Sequence, residues 1–358
     1  MSHMDHMLIS PDDEAGVVAL AACTSHIFPM ALKAAIQLDL FEIVGGAHGD
    51  GLSSLEIASQ LPTNVDRTAV VLDSLLRLLI TRSLLTCSIL KLANGSIERR
   101  YRLAPAGRFF VGDENGSSLV PYFAHVSRDE LVQQISFKDA VLKGGKVFEE
   151  VEGNSFYGSM LSDPEFGMIF DNAMGAHSTM IMKKVIKIYD GFEGLSSLVD
   201  VGGGNGTVLD GIVSNYPSIR AINFDLPHVV QNAPSYKGIE HIGGDMFLEV
   251  PKGDAILLKF VLHNWGDEQC TKLLKNCYKA LPNRGKVIVM ECIMPNSPQT
   301  DVHAKYASEM DMAMVGLLEG KERTEDEFEA MAIDAGFSEF KVVCCVYGVW
   351  IMEFYKLV

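Results

Sequence analysis

The 358-residue chain is short of positive charge: 30 lysines and arginines stand against 46 aspartates and glutamates, a formal net charge of −16. Nucleic acids and anionic membranes are bound by clustered lysine and arginine that neutralise phosphates, so neither is an expected partner. No apolar run approaches the length of a membrane span, and the amino terminus lacks a basic segment followed by an apolar one. The seven cysteines, at 23, 87, 270, 277, 292, 344 and 345, are odd in number and form no C-x-x-C or His/Cys metal pattern. They read as reduced core thiols of a cytoplasmic protein, and no metal is expected. Internal repeats and low-complexity tracts are lacking too. What remains is 48% hydrophobic, enough for a large core and two domains.

The most informative stretch is Leu198-Val-Asp-Val-Gly-Gly-Gly-Asn-Gly206. It reads as a buried strand, a tight glycine turn and a helix start, with glycines that let bare backbone approach a ligand. Such turns also serve as plain packing solutions, so the following strands carry the argument. Ala221-Ile-Asn-Phe-Asp225 ends in a carboxylate suited to ribose hydroxyls. Gly243-Gly-Asp245-Met246 offers an acceptor for an adenine amino group and a thioether to pack on the ring. Asp254 to Phe260 leads into Leu262-His263-Asn264-Trp265, and Lys286 to Glu291 ends in another carboxylate. Polar residues at the carboxyl ends of successive strands are where an open α/β sheet binds ligands.

Upstream, residues 15 to 40 are apolar on nearly every side and interrupted at Phe28-Pro29-Met30, a candidate subunit interface. Ser53 with Glu56 has capping-box spacing. A helix is expected from about Asn64 to Thr81, burying Val71, Leu72, Leu75, Leu76 and Leu79. A hairpin is expected about Asn94-Gly95. Helix, helix, hairpin is the winged-helix layout, whose only basic cluster here is Arg99, Arg100 and Arg102. Three segments result: 1–118, winged helix; 119–194, two long helices near 119–143 and 164–190; and 195–358, a Rossmann-like α/β domain. Pro164 suits a first helical position. Phe166, Phe170, Met174, His177 and Ile181 then recur on one helical face, a core stripe by default, tilted toward a ligand by His177. Met310, Met312 and Met314 fall in a later helix, Thr324 with Glu327 has capping spacing, and two closing strands are expected at Phe340–Val346 and Val349–Phe354.

Together, Val-Asp-Val-Gly-Gly-Gly-x-Gly, Asn-Phe-Asp-Leu-Pro-His at 223 to 228, Gly-Gly-Asp-Met-Phe at 243 to 247, Leu-His-Asn-Trp at 262 to 265 and Gly-Lys-Glu-Arg-Thr at 320 to 324 resemble the plant small-molecule O-methyltransferases of the caffeic acid type. The resemblance covers nearly the whole chain, including Phe-Pro-Met-Ala-Leu-Lys at 28 to 33. It implies a class I methyltransferase domain behind a dimerisation domain, and a homodimer. It also implies that Gly202, Gly204, Asp225, Leu226, Asp245, Met246 and Lys259 hold S-adenosylmethionine. His263 would be the catalytic base, flanked by Glu291 and Glu322. A free phenol has a pKa of about 10, so a neutral imidazole that takes its proton supplies what the acceptor lacks.

The expected acceptor pocket comprises His125, Phe166, Phe170, Met174, His177, Phe260, Trp265, Met310 and Met314. Three places depart from the family pattern: Asn264 where aspartate is usual, Leu318-Glu319-Gly320 where many relatives have Asn-Pro-Gly-Gly, and Ala124-His125 where Met-Asn is common. The last implies a roomier pocket than a simple hydroxycinnamate needs. A lignan, benzylisoquinoline alkaloid, flavonoid or phenylpropanoid phenol is therefore expected over caffeic acid itself. Two rivals stay open. A nicotinamide dehydrogenase would want G-x-G-x-x-G, whereas Gly202-x-Gly204-x-Gly206 is tighter. A winged-helix, ligand-sensing regulator would carry an inactive methyltransferase-like domain.

Overall fold

In the computed structural model, which describes residues 10–62, 65–114, 117–128, 135–145, 148, 156–318 and 320–357, Asn94-Gly95 turns a hairpin. Strand β1 (Leu85–Lys91) pairs antiparallel with β2 (Ile97–Leu103), and Gly95 takes φ 83°. The arginines of the hairpin are tied down within the same unit. Arg99 pairs with Asp73 at 3.1 Å, Arg100 with Glu98 at 2.8 Å and Glu56 at 3.1 Å, and Arg102 donates to the Gly49 carbonyl at 2.5 Å.

This hairpin belongs to the first of two units, Met1–Val120 and Pro121–Val358. In the first, Ser53 and Glu56 cap the helix Ser54–Ala58 reciprocally, at 2.7 Å and 3.2 Å. The helix Val65–Thr81 buries Leu72, Leu76 and Leu79, but Val71, expected beside them, is exposed. Val71 falls outside the three-and-four spacing of those leucines, which rotates it off the buried side. Asn64, the expected start, lies outside the described residues. The apolar stretch forms two helices, Pro11–Cys23 and Ile27–Gln37, broken at residues 24–26. Pro29 sits in the first turn of the second, where its missing N–H costs no intrahelical bond. No residue of the first helix is buried; Val17, Val18 and Leu20 are 63%, 65% and 69% exposed. Among the described residues no single helix is long and apolar enough to cross a membrane.

In the second unit, β3 (Ser197–Val201), β4 (Arg220–Asp225), β5 (Ile239–Gly243), β6 (Ala255–Lys259) and β7 (Lys286–Glu291) run parallel in the order β5-β4-β3-β6-β7. Beyond β7 the sheet continues antiparallel. A short parallel pair, β8 (Ile293–Met294) with β9 (Arg323–Thr324), lies apart and was not foreseen. The closing strands β10 (Glu339–Val346) and β11 (Val349–Tyr355) complete the sheet, β11 against β7. Runs such as Ile256-Leu257-Leu258 and Val287-Ile288-Val289 are fully buried because helices cover both faces, as a parallel sheet requires. The chain order reverses at β3, between β4 and β6, so the ligand crevice opens at the carboxyl ends of these strands.

Two expectations need correction. The helix read over 119–143 is not continuous: Val120–Val126 ends before Ser127-Arg128, and Phe137–Lys143 starts afresh behind Ser136, whose Oγ accepts from Asp139 N at 3.3 Å. Residues 129–134 lie outside the described set. Nor are all seven free cysteines core thiols. Cys270, Cys277 and Cys292 are buried, but Cys23 lies on the exposed first helix and Cys87 on the exposed part of β1. By contrast Pro164–Ile188 is one helix, started by Asp163 Oδ1, which accepts from Glu165 N and Phe166 N at 3.0 and 3.1 Å.

Candidate active site

After β3 the chain turns through Gly202, Gly204 and Gly206 at φ 72°, 56° and 85°. Gly204 is held from both sides: its N–H donates to Asp225 Oδ2 and its carbonyl accepts from Asn223 Nδ2, each at 2.8 Å. A Cβ on Gly203 would lie 2.1 Å from Asn223 Oδ1 and 2.8 Å from Asp200 Oδ2, whereas one on Gly204 would meet nothing within 4 Å. The turn is thus packed beneath and open above. Asp225 Oδ1 accepts from Leu226 N at 2.7 Å; burial pushes this carboxyl up, and its two N–H donors pull against that. Asp245 Oδ1 accepts from Phe247 N at 2.8 Å, and the Met246 carbonyl accepts from Asn276 Nδ2 at 3.0 Å. Lys259, at the end of β6, donates to Ser178 Oγ at 2.9 Å. Burial pushes Lys259 down to about 8 against the pull of Asp200 and Glu291, and pushes Asp200, whose Oδ2 has no partner, up to about 7.

His263 stands on the short turn after β6, buried with Glu291 and Glu322. Its Nδ1 is 2.8 Å from Glu322 Oε1 and 3.7 Å from Glu291 Oε2. Glu291 Oε1 in turn accepts from Val261 N at 2.9 Å and Leu262 N at 2.8 Å, fixing the turn to the end of β7. A neutral imidazole whose Nδ1 faces a carboxylate carries its proton there, which leaves Nε2 as the acceptor. Burial pushes His263 down, but the two carboxylates outweigh it and hold the imidazole above its ordinary value; burial raises Glu291. The ligand atoms of these three residues lie within 4.8 Å of one another, a spacing that a cation could also use.

An aromatic file leads away from His263. Phe260 lies 5.2 Å from both the His263 and His177 rings, and His177 stacks on Tyr122 at 4.7 Å. Burial, then Lys259 and His263, push His177 down to about 3, so it is neutral. His125 forms a second group with Phe166 at 5.9 Å and Phe170 at 5.4 Å. It too is neutral, pushed down to about 4 by burial and Arg128, and its buried Nδ1 has no partner. Met310 Sδ lies 3.7 Å from Tyr122 Oη, Met314 is buried on the same helix, and Met174 is half-buried. Trp265 packs on Phe247 and Tyr157 at 4.9 and 6.3 Å, at the edge of the main core.

Sequence reading missed the residues that fix this turn. Arg323 is fully buried and donates to the carbonyls of Leu262 and Trp265, both at 2.8 Å, and to Asp267 Oδ1. Asn264, the departure expected to matter beside the base, donates to the Phe260 carbonyl at 3.0 Å and closes the turn. Phe260 adopts φ 53°, a strained conformation for an aromatic residue. Arg323 carried a local signal as the arginine of the Lys-Glu-Arg-Thr run, and Asn264 as a departure from the family pattern, but neither signal gave its role. Glu319 lies outside the described residues.

Similarity to solved structures defines the fold class. Human N-acetylserotonin methyltransferase in complex with S-adenosylmethionine superposes with a TM-score of 0.77 at 21% identity, covering 98% of this chain and 99% of that one. The calicheamicin-biosynthesis methyltransferase CalO1 in its S-adenosylhomocysteine-bound form gives 0.76 at 22%, covering 99% of each. The sheet and its glycine turn are those of a class I methyltransferase. Residues 135–338 match the O-methyltransferase domain, and residues 20–113 match the O-methyltransferase dimerisation domain. Caffeic acid 3-O-methyltransferase of Clarkia breweri is 48% identical over 352 residues, covering 96% of this chain and 95% of the relative. That of Capsicum annuum is 46% identical over 360 residues, covering 99% and 100%. The chain belongs to this O-methyltransferase family, as an S-adenosylmethionine-dependent O-methyltransferase.

Proposed function

We propose that this enzyme methylates a phenolic hydroxyl of a small plant secondary metabolite, with His263 as the base that takes the hydroxyl's proton. The observation that carries this reading is the 2.8 Å contact of His263 Nδ1 with Glu322, which commits one ring nitrogen and leaves Nε2 for the acceptor. Glu322 orients the imidazole and stabilises the imidazolium, while Glu291 holds the turn through its backbone N–H groups. When bound, S-adenosylmethionine supplies a methyl group on a sulfonium that is already a good leaving group. With that donor held by the glycine turn, Asp225, Asp245 and Lys259, Nε2 of His263 would take the phenolic proton as the hydroxyl oxygen becomes the methyl acceptor. No charge is left on the acceptor, and no metal is required.

The donor site fits what it would hold. Backbone at Gly204 is open, Gly202 and Gly203 let the turn pack closely on Val261 and Asn223, and the oxygens of Asp225 each use one acceptor position on an N–H. That leaves capacity for ribose hydroxyls. Leu226, Asp245, Met246 and Lys259 complete the set. On the acceptor side, the unpartnered Nδ1 of His125 between Phe166 and Phe170 favours a phenol with a second hydrogen-bonding group, such as a phenylpropanoid, lignan, flavonoid or benzylisoquinoline. His177, Phe260, Met174, Met310, Met314 and Trp265 supply the apolar lining. The enzyme acts as a cytoplasmic homodimer through its amino-terminal unit. A regulatory role on DNA is disfavoured, because the hairpin arginines are engaged by Asp73, Glu98, Glu56 and Gly49.

Mass spectrometry of a phenolic panel incubated with S-adenosylmethionine tests this. Wild type yields products one methyl heavier with matching S-adenosylhomocysteine; His263→Ala does not. Full activity in the variant would remove the base assignment, and loss of turnover on adding a chelator would overturn the metal-free mechanism.

A further inference from the structure

A hydrogen-bond chain from β5 through β4 ends on the glycine turn. His241 Nε2 lies 2.9 Å from the Pro234 carbonyl oxygen, and its Nδ1 lies 3.0 Å from Asn223 Nδ2. The same Nδ2 donates to the Gly204 carbonyl at 2.8 Å. Both ends of this chain are carbonyl oxygens, which only accept. Asn223 must therefore present its amide N–H group, not its oxygen, to Gly204, and Pro234 must receive the Nε2 proton. The two requirements meet at His241 Nδ1, which has to accept the second Asn223 N–H. One protonation state satisfies both, the neutral imidazole with its proton on Nε2. A second proton would set N–H against N–H.

The asparagine cannot turn over and keep its bond to Gly204. It is fully buried, its Oδ1 has no partner, and that oxygen sits beside Gly203 next to Asp200. Turning the amide over to suit a protonated imidazole would release Gly204. The ring also backs the turn directly, because a Cβ on Gly206 would lie 3.1 Å from His241 Cε1. The titratable groups around the chain are Tyr236, whose ring centroid is 6.4 Å from that of His241, Asp200 and Asp225 beyond Asn223, and the exposed Glu240 next to His241 on β5.

We propose that His241 is a positioning residue of the methyl-donor site: its neutral Nε2–H form holds Asn223, and through it Gly204, in the arrangement that accepts the donor. This rests on the reading of the glycine turn as the donor site. The test is calorimetric titration of the full-length protein with S-adenosylhomocysteine at neutral and mildly acidic pH, for wild type, His241→Phe, His241→Asn and Asp225→Ala. His241→Phe, which lacks the acceptor, binds about tenfold more weakly, or about 1.4 kcal/mol, with the acceptor KM unchanged. His241→Asn, whose side-chain oxygen still accepts from Asn223, stays within about threefold of wild type at neutral pH. Acidification weakens wild type more than His241→Asn.

Thermal melting shows whether each variant folds, and the asparagine variant keeps the test open if the phenylalanine variant does not. Equal binding by His241→Phe, equal weakening of both histidine variants, or a wild-type pH response shared by His241→Asn overturns the relay. Loss of binding in Asp225→Ala alone overturns the relay but keeps the donor site. Undiminished binding in Asp225→Ala overturns the donor-site reading and the relay with it.

Discussion

A side chain at Gly320 would collide with the turn that carries His263: a Cβ there would lie 1.8 Å from the carbonyl oxygen of that residue. The strand of backbone that brings Glu322 to the imidazole therefore passes flush against His263. Gly320→Ala displaces one from the other. Because misplacement by about 1 Å costs on the order of a hundredfold in rate, kcat falls by about that factor while S-adenosylhomocysteine binding holds. An unchanged kcat would show that the contact is not needed.

The pH profile follows from the carboxylates. A general base works in its neutral form, and Glu291 and Glu322 outweigh burial to raise the pKa of His263. As pH falls, the base is lost through a pKa above its ordinary value, so the acid limb of kcat/KM lies above about 6.5. Glu322→Gln removes one raising charge and leaves burial, which acts downward, less opposed. The limb then moves to lower pH, with kcat reduced about tenfold or more. A limb that stays in place would mean that Glu322 does not act on the base.

Arg323 is a structural tie. Its buried guanidinium satisfies two backbone carbonyls of the turn that carries His263. Arg323→Met strands them, and hydrogen bonds to a charged group contribute about 1.5–3 kcal/mol each, so urea unfolding should show a loss of that order or more. Arg323→Lys does not restore it, since an ammonium lacks the planar fork that spans both carbonyls. Stability equal to wild type in either variant would refute the assignment.

The exposed apolar helix Pro11–Cys23 bears on assembly. Replacing Val17 and Leu20 with glutamate places charge on a surface proposed to be covered in the dimer. Light scattering should then report monomer where wild type gives dimer. A double variant that remains dimeric would locate the interface elsewhere.

The strands that carry the donor candidates were legible because their signals are local. Asp225, Lys259 and Glu291 each close an apolar run whose length and composition mark a strand, Asp245 follows β5 by two residues, and parallel strands deliver their ends to one crevice. The contacts that give the site its shape were not legible, because each joins distant segments. Arg323 reaches residues sixty positions earlier, Gly320 is small for the sake of His263, and His241 meets Asn223 only once β4 and β5 pair. The broken helix at 119–143 failed for a different reason. Apolar periodicity persists through Ser127-Arg128 and resumes after Ser136, and no proline or glycine marks the interruption.

The five residues Lys259 to His263 span the lysine proposed for the donor site and the proposed base, with Phe260 bent into φ 53° between them. On that proposal one short piece of backbone would serve two reactants at once. A substitution that re-aims the histidine for a new acceptor would also shift the lysine, so this segment would be a poor place for selectivity to diverge. A changed side chain on the helix Pro164–Ile188 or around His125 would instead alter which molecule enters without touching the proposed donor site.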